Sequence, residues 1–147
     1  MFFFVSTNAV HGDYALNPLH LQNYDINFFA LYVNGRQIPA TAFQPSFDSD
    51  YVRAFMQLQS GIGNAFRDED NSISYFDFGH GSTVFAFDLT ADLANGEHKE
   101  PRKRGSLRAE VHFGTQLPSP VTCFVHAEYD NCIKINQDRD ISLDYLI

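Results

Sequence analysis

Along the last third of this chain the side chains alternate in kind, and that alternation restricts it to β-strands. From Gly105 to Phe113 the apolar Leu107, Ala109, Val111 and Phe113 take the odd positions, while Arg108, Glu110 and His112 take the even ones. Successive side chains of a strand point to opposite faces, so the pattern predicts one buried face and one wet face. After a Pro-rich turn at Leu117–Pro120, Val121, Cys123, Val125, Ala127 and Tyr129 alternate with Thr122, His126 and Glu128, and Phe124 is the one apolar exception. A third run, Ile133 and Ile135 around Lys134, leads through the polar turn Asn136–Asp140 into Ile141, Leu143 and Tyr145. Gly105–Ile147 is therefore expected to supply three or four strands of a β-sandwich wall, with no residue placed to do chemistry.

Upstream, Phe2–Val5 reads as a further strand; the apolar run is too short for a signal peptide and no basic residue precedes it. His11–Asn23, with Gly12, Asp13, Asn17 and Pro18, is a long connection. Ile26–Val33 is continuously apolar, as in a strand buried on both faces. Asn34-Gly35 follows, the strongest short signal for a type I′ hairpin, and Arg36–Ile38 makes a short return strand that Pro39 ends. Then the period changes. Val52, Phe55, Met56 and Gln59 fall at helical spacing behind Asp48, Ser49 and Asp50, any of which can cap a helix start, and Gly61 and Gly63 stop it. Asp50–Ser60 is predicted as the only real helix, inserted between strands. Arg67–Asn71 is a charged loop, Val84–Leu89 a strand alternating Phe85, Phe87 and Leu89 with Ala86 and Asp88, and Ala91–Gly105 a long surface loop. Long loops between short strands are usual in jelly rolls, whose connections cross from sheet to sheet.

The 147 residues, 44% of them hydrophobic, suffice for one domain with a continuous core. Fifteen Phe and seven Tyr with no Trp suit packed sheet faces. Charged residues make up only 19%, which hints at surface buried against partners. The net charge of −8 argues against a general nucleic-acid coat, because phosphate binding needs clustered Lys and Arg. The two cysteines, Cys123 and Cys132, are too few to staple a small secreted fold and are expected to remain unpaired as small apolar side chains.

Each constellation that invites a chemical reading is better explained otherwise. Asp68-Glu69-Asp70-Asn71-Ser72 has the opening spacing of a calcium loop, but Ile73 and Gly79 stand where an EF-hand needs Gly and Glu. His112 and His126 lie on the polar sides of two strands and would face each other as half a metal site if those strands were neighbours; lacking a third ligand, they read as solvent-facing or hydrogen-bonded histidines. Gly79-His80-Gly81 is a turn and not a phosphate loop. Cys123 and His126 point to opposite faces of one strand, and Asp77, Asp88 and Glu128 have no partner for acid–base work. No catalytic residue, cofactor or metal site is predicted. The basic run Lys99, Arg102, Lys103 and Arg104, interrupted by Glu100, is either an exposed loop tip or an import signal or patch for an acidic partner.

Taken in order, Leu31–Gln37, Phe43–Pro45, Tyr51–Arg53, Val84–Thr90, Gly105–Phe113 and Val125–Asp130 through Asp138–Asp140 to Asp144-Tyr145 resemble the C-terminal region of hexon-like major capsid proteins encoded by Polinton (Maverick) elements and adintovirus-like viruses. The resemblance spans nearly the whole chain; no single segment is specific. It implies an all-β fold, the second jelly roll of a double jelly-roll capsid protein, with residues 1–147 forming one jelly-roll domain incomplete at its N-terminal edge and carrying one short helix near 50–60. The implied function is structural: a virion shell component of a mobile element or integrated DNA virus, possessing no enzyme activity. Its implied partners are other capsid subunits in a homotrimer, without a specific nucleic-acid site, membrane or small-molecule substrate. The expected location is the virion, or otherwise the cytoplasm or nucleus. An alternative from another class is a lectin- or cupin-like binding module, for which Tyr75, Phe76 and Asp77 in the loop Arg67–Phe78 offer aromatics beside carboxylates.

Overall fold

A computed structural model describes residues 1–66, 71–90, 105–128 and 133–143. Strand β1 (Phe2–Ser6) runs directly into a single helical turn, α1 (Thr7–Val10). Strand β2 (Ile26–Val33) turns through Asn34 and Gly35 into β3 (Arg36–Phe43). Both turn residues have positive φ, 52° and 79°, as a type I′ hairpin requires. Helix α2 (Val52–Gly61), a 3₁₀ turn (Asn64–Phe66) and the short α3 (Tyr75–Gly79) precede β4 (Val84–Phe85). Strands β5 (Leu107–Phe113), β6 (Val121–Val125), β7 (Ile133–Ile135) and β8 (Ile141–Leu143) follow.

The strands form two antiparallel three-stranded sheets, ordered β4-β1-β6 and β3-β2-β5, and a separate hairpin, β7-β8. Phenylalanines bind the two sheets face to face. Phe29 stacks on Phe85 with ring centroids 4.5 Å apart and meets the edge of Phe2 at 5.5 Å; Phe4 meets the edge of Phe113 at 6.1 Å. Phe29 and Phe85 are wholly buried. Each such aromatic pair contributes about 0.5–1.5 kcal/mol beyond the burial of its area. The fold is thus predominantly β and compatible with a β-sandwich, as the alternation predicts. Among the described residues no helix is long and apolar enough to cross a membrane.

Several expectations need correction. Pro39 does not end its strand: β3 continues to Phe43, with the β2 register shifting between Phe29 and Leu31. It can do so because β3 is an edge strand, where a missing N–H need not interrupt the sheet. The helix near residues 50–60 is present, but α1, α3 and the 3₁₀ turn accompany it. Its buried face only partly matches the one that spacing selected: Phe55 packs against the core, but Ala54 and Leu58 enter it most deeply, while Val52 and Met56 remain about half exposed. The N-cap of α2 is Tyr51, with no side-chain cap, and not one of the expected Asp48, Ser49 or Asp50; the Asp50 carboxylate does accept from the Val52 N–H at 3.1 Å. Strand β4 stops at Phe85, although Phe87 still packs on the core; Leu89 is exposed. Residues 67–70, 91–104, 129–132 and 144–147, which include Asp68, Asp70, Cys132 and the basic run Lys99 to Arg104, lie outside the described residues.

Helices α2 and α3 close the β4 side of the core. Phe78 of α3 is fully buried and meets the edges of Phe85 and Phe55. Gly61, at the end of α2, lies so close to β4 that a Cβ there would approach the Ala86 carbonyl oxygen to 2.5 Å. The obstacle is backbone and cannot rotate away. Gly61→Ala should therefore lower stability by about 1–3 kcal/mol, the cost of overpacking a tight site. Met56→Ala, on the exposed face of the same helix, should change it by less than about 0.5 kcal/mol. Urea midpoints of the two variants measure the contrast.

Candidate functional site

Two places bring chemically distinctive residues together. The first is a cleft of about 510 Å³ between the loop at residues 20–25 and the turn at 79–81, lined by His20, Asn23, Tyr24, Asp25 and His80 among others. Backbone pairing fixes its walls: Leu21 N–H donates to the Gly81 carbonyl at 2.8 Å and Thr83 N–H to the Leu21 carbonyl at 2.9 Å. The Asn23 amide donates to the Gly79 carbonyl at 2.7 Å, and its oxygen accepts from Asp25 N–H at 2.8 Å. Tyr24 and Asp25 both hold left-handed conformations, φ 47° and 53°, uncommon for residues with a Cβ and made tenable here by that hydrogen bonding. At Gly81, φ 121°, a Cβ would run into the His20 ring, so the turn needs glycine for both reasons.

The cleft offers two imidazoles, a carboxylate and amides, a polar lining able to hydrogen-bond a small ligand. His80 shares a 2.8 Å hydrogen bond through Nδ1 with the Phe76 carbonyl, and its ring stacks on Phe76 at 4.0 Å. Phe76 is nearly two-thirds exposed. The Tyr24 hydroxyl is buried without a hydrogen-bond partner among the described residues, and that burial raises its pKa. No group of three or more His, Cys, Asp or Glu among the described residues could hold a metal ion. The sequence did not single out His20, Tyr24 or Asp25. Residues 11–23 were legible only as a long connection, because the bridge that carries Leu21 to Ser82 is a long-range contact.

The second place is an open side of the sandwich. In β6, Cys123 and Val125 pair with Phe4 and Phe2 and so share their inward face; in β5, Leu107 and Ala109 pair with Val33 and Leu31 and likewise face inward. Yet Val125 is 54% and Leu107 46% exposed, and Ala109 and Cys123 are exposed as well. Only Val111, Phe113 and Val121 of these two strands pack against the core. The expected burial of one whole face of 107–113 is thus half fulfilled. Both strands are sheet edges, and Phe4 against Phe113 places them on the same side. Partial desolvation raises the Cys123 thiol pKa above its usual value although the residue as a whole is exposed.

The C-terminal hairpin does not extend this wall. Among the described residues β7 and β8 pair only with each other, Ile133 opposite Leu143 and Ile135 opposite Ile141. Ile133, Ile135 and Ile141 are each more than three-fifths exposed.

The remaining predicted positions resolve individually. His112 and His126 do not face each other, because β5 and β6 belong to different sheets. His112 stacks on Phe28 at 4.7 Å and lies 3.3 Å from Glu110, which also pairs with Arg108 at 2.7 Å. The His126 N–H donates to the Met1 carbonyl at 2.9 Å. Asp88 accepts from the N–H and hydroxyl of Thr90. Tyr75 stacks on Tyr51 at 4.2 Å. Asp77 closes a capping box at α3: it accepts from the Ser74 hydroxyl at 2.6 Å, while its own N–H donates to that hydroxyl oxygen.

Those hydrogen bonds, the Ser74 hydroxyl first, hold the Asp77 carboxyl below the usual carboxylate range. A lowered folded-state pKa stabilises above the unfolded pKa and loses that contribution as pH falls through the folded value. The stability difference between the native protein and Asp77→Asn should therefore shrink as denaturation is followed down from about pH 6 to about pH 2, across the carboxylate range. A difference that holds constant through acid would contradict the capping role.

Compared with protein-family models, curated proteins and solved structures, the chain matches none.

Proposed function

We propose that this chain is a structural protein: a jelly-roll module of the hexon-like, double jelly-roll capsid class, acting through its shape and its edges. The observation that supports it best is the pair of antiparallel sheets packed through Phe2, Phe4, Phe29 and Phe85, in a chain whose ordered segments resemble the second jelly roll of Polinton-type capsid proteins. The side between β5 and β6, apolar and open, adds support, since shell subunits bury such surface against neighbours. Virion location and trimer formation follow as parts of the same proposal. Expressed together with an upstream first jelly roll, the protein should run as a trimer by size-exclusion chromatography with light scattering. A well-folded permanent monomer would overturn the reading.

The cleft supports a second reading, a β-sandwich ligand-binding module. His80 lines it together with His20, Asn23 and Asp25, a set of imidazole, amide and carboxylate groups suited to hydrogen-bonding sugar hydroxyls. Asp77 cannot contribute freely, being engaged by Ser74. Calorimetric titration with a panel of monosaccharides and with calcium tests it: saturable heat that disappears in His80→Ala would favour binding. No heat with any of them would leave the structural role the better supported.

A further inference from the structure

The cleft beside the 79–81 turn holds a carboxylate that nothing among the described residues neutralises. Asp25 engages both its backbone groups, its N–H donating to the Asn23 side-chain oxygen and its carbonyl accepting from Gly114 N–H at 2.7 Å, but its carboxylate has no hydrogen-bond or ion-pair partner among the described residues. Asp25 is held at φ 53° directly after Tyr24 at 47°. Two successive residues with side chains in the left-handed region carry a cost in free energy, and strain of this kind gathers where side chains are aimed for use. Gly114 makes room for the carboxylate. A Cβ there would come within 2.5 Å of Asp25 Oδ2, and Gly114 lacks the positive φ that would itself demand glycine.

We propose that the cleft binds an amino sugar, its ammonium group held by the Asp25 carboxylate and its hydroxyls by the neutral lining. The inference rests on the reading of the cleft as a ligand-binding site and names the class of ligand. Among the described residues that line it none is Lys or Arg, so the carboxylate is left to an incoming cation. The Phe76 carbonyl can only accept, so His80 donates to it from Nδ1, and the neutral ring keeps Nε2 as an acceptor. Gln22, Thr115 and Gln116 add side chains able to donate and accept, as a ring of hydroxyls requires. A calcium ion would need about six to eight oxygen ligands. No group of three or more His, Cys, Asp or Glu among the described residues could hold a metal, whereas an organic ammonium needs only one carboxylate. The volume of about 510 Å³ suits one small molecule, and the net charge of −8 favours the approach of a cation.

Calorimetric titration of the full chain with glucosamine, glucose and N-acetylglucosamine separates the charge from the ring that carries it. Glucosamine should bind about tenfold more tightly, or better, than either neutral sugar, the order of one hydrogen bond to a charged group. That preference should shrink as salt is raised, because Asp25 is only partly buried. Asp25→Asn keeps the side-chain shape, and asparagine tolerates the left-handed conformation, so circular dichroism should show the variant folded. It should bind glucosamine no better than glucose. Equal affinity for the three sugars in the native protein would overturn the inference and leave the sugar-binding reading of the cleft in place. A preference for glucosamine that survives in Asp25→Asn would also overturn it, by placing the cation elsewhere on the acidic surface. No heat with any of the three would overturn both the inference and the reading on which it rests.

Discussion

The stack of Phe29 on Phe85 is the contact on which the rest of the architecture rests. Phe29 is the middle of β2, which pairs with β3 on one side and β5 on the other; Phe85 belongs to β4, which pairs with β1. One ring pair therefore joins the two sheets, and Phe2, Phe87 and Phe78 gather around it. Flat rings can fill the roughly 10 Å between sheets without long, flexible side chains, which lowers the entropy lost in ordering the core. The abundance of phenylalanine and the absence of tryptophan fit a core made this way.

That core is asymmetric. On the β4 side, α2 and α3 insert Leu58 and Phe78, and the close approaches of Gly61 to the Ala86 backbone and of Gly79 to the Tyr51 ring leave little space. On the β5/β6 side nothing comparable is present among the described residues, and inward-facing Leu107 and Val125 remain in contact with water. A sandwich finished on one edge and unfinished on the other is suited to assembly, because the open edge supplies apolar area and unpaired backbone together. The cleft at His20 and His80 is a different kind of surface, polar and rimmed by turns, and it belongs to the loops outside the two sheets.

Much of the local structure was legible because its causes are local. Asn34-Gly35 specifies a type I′ turn through the left-handed conformations those residues tolerate, and the turn forms as read. The period-2 runs after Gly105 become four strands with boundaries close to those expected. The errors share a cause. Pro39 was read as a terminator because its lost N–H matters inside a sheet, and only the sheet order reveals that its strand lies on an edge. For α2, helical spacing identified a helix and Phe55 on its packed side but not Ala54 and Leu58: Val52 and Met56 are as apolar as these, and the approach of β4 chose between them. The cleft was unread because it depends on Leu21 reaching Gly81 and Ser82 across some sixty residues.

The sequence by itself determined which segments extend, where they turn and where a helix interrupts them, since backbone preference and side-chain period act over a few residues. Tertiary structure decided what is buried. Leu107, Ala109, Val111 and Phe113 form one uniform alternating face in the sequence, yet Val111 and Phe113 enter the core while Leu107 and Ala109 do not. Burial needs a second surface, and whether one arrives depends on how β1, β4 and β6 come to lie over β2 and β5. The same applies to Ile133, Ile135 and Ile141: their spacing makes a strand pair, but only the three-dimensional arrangement shows its apolar side facing solvent.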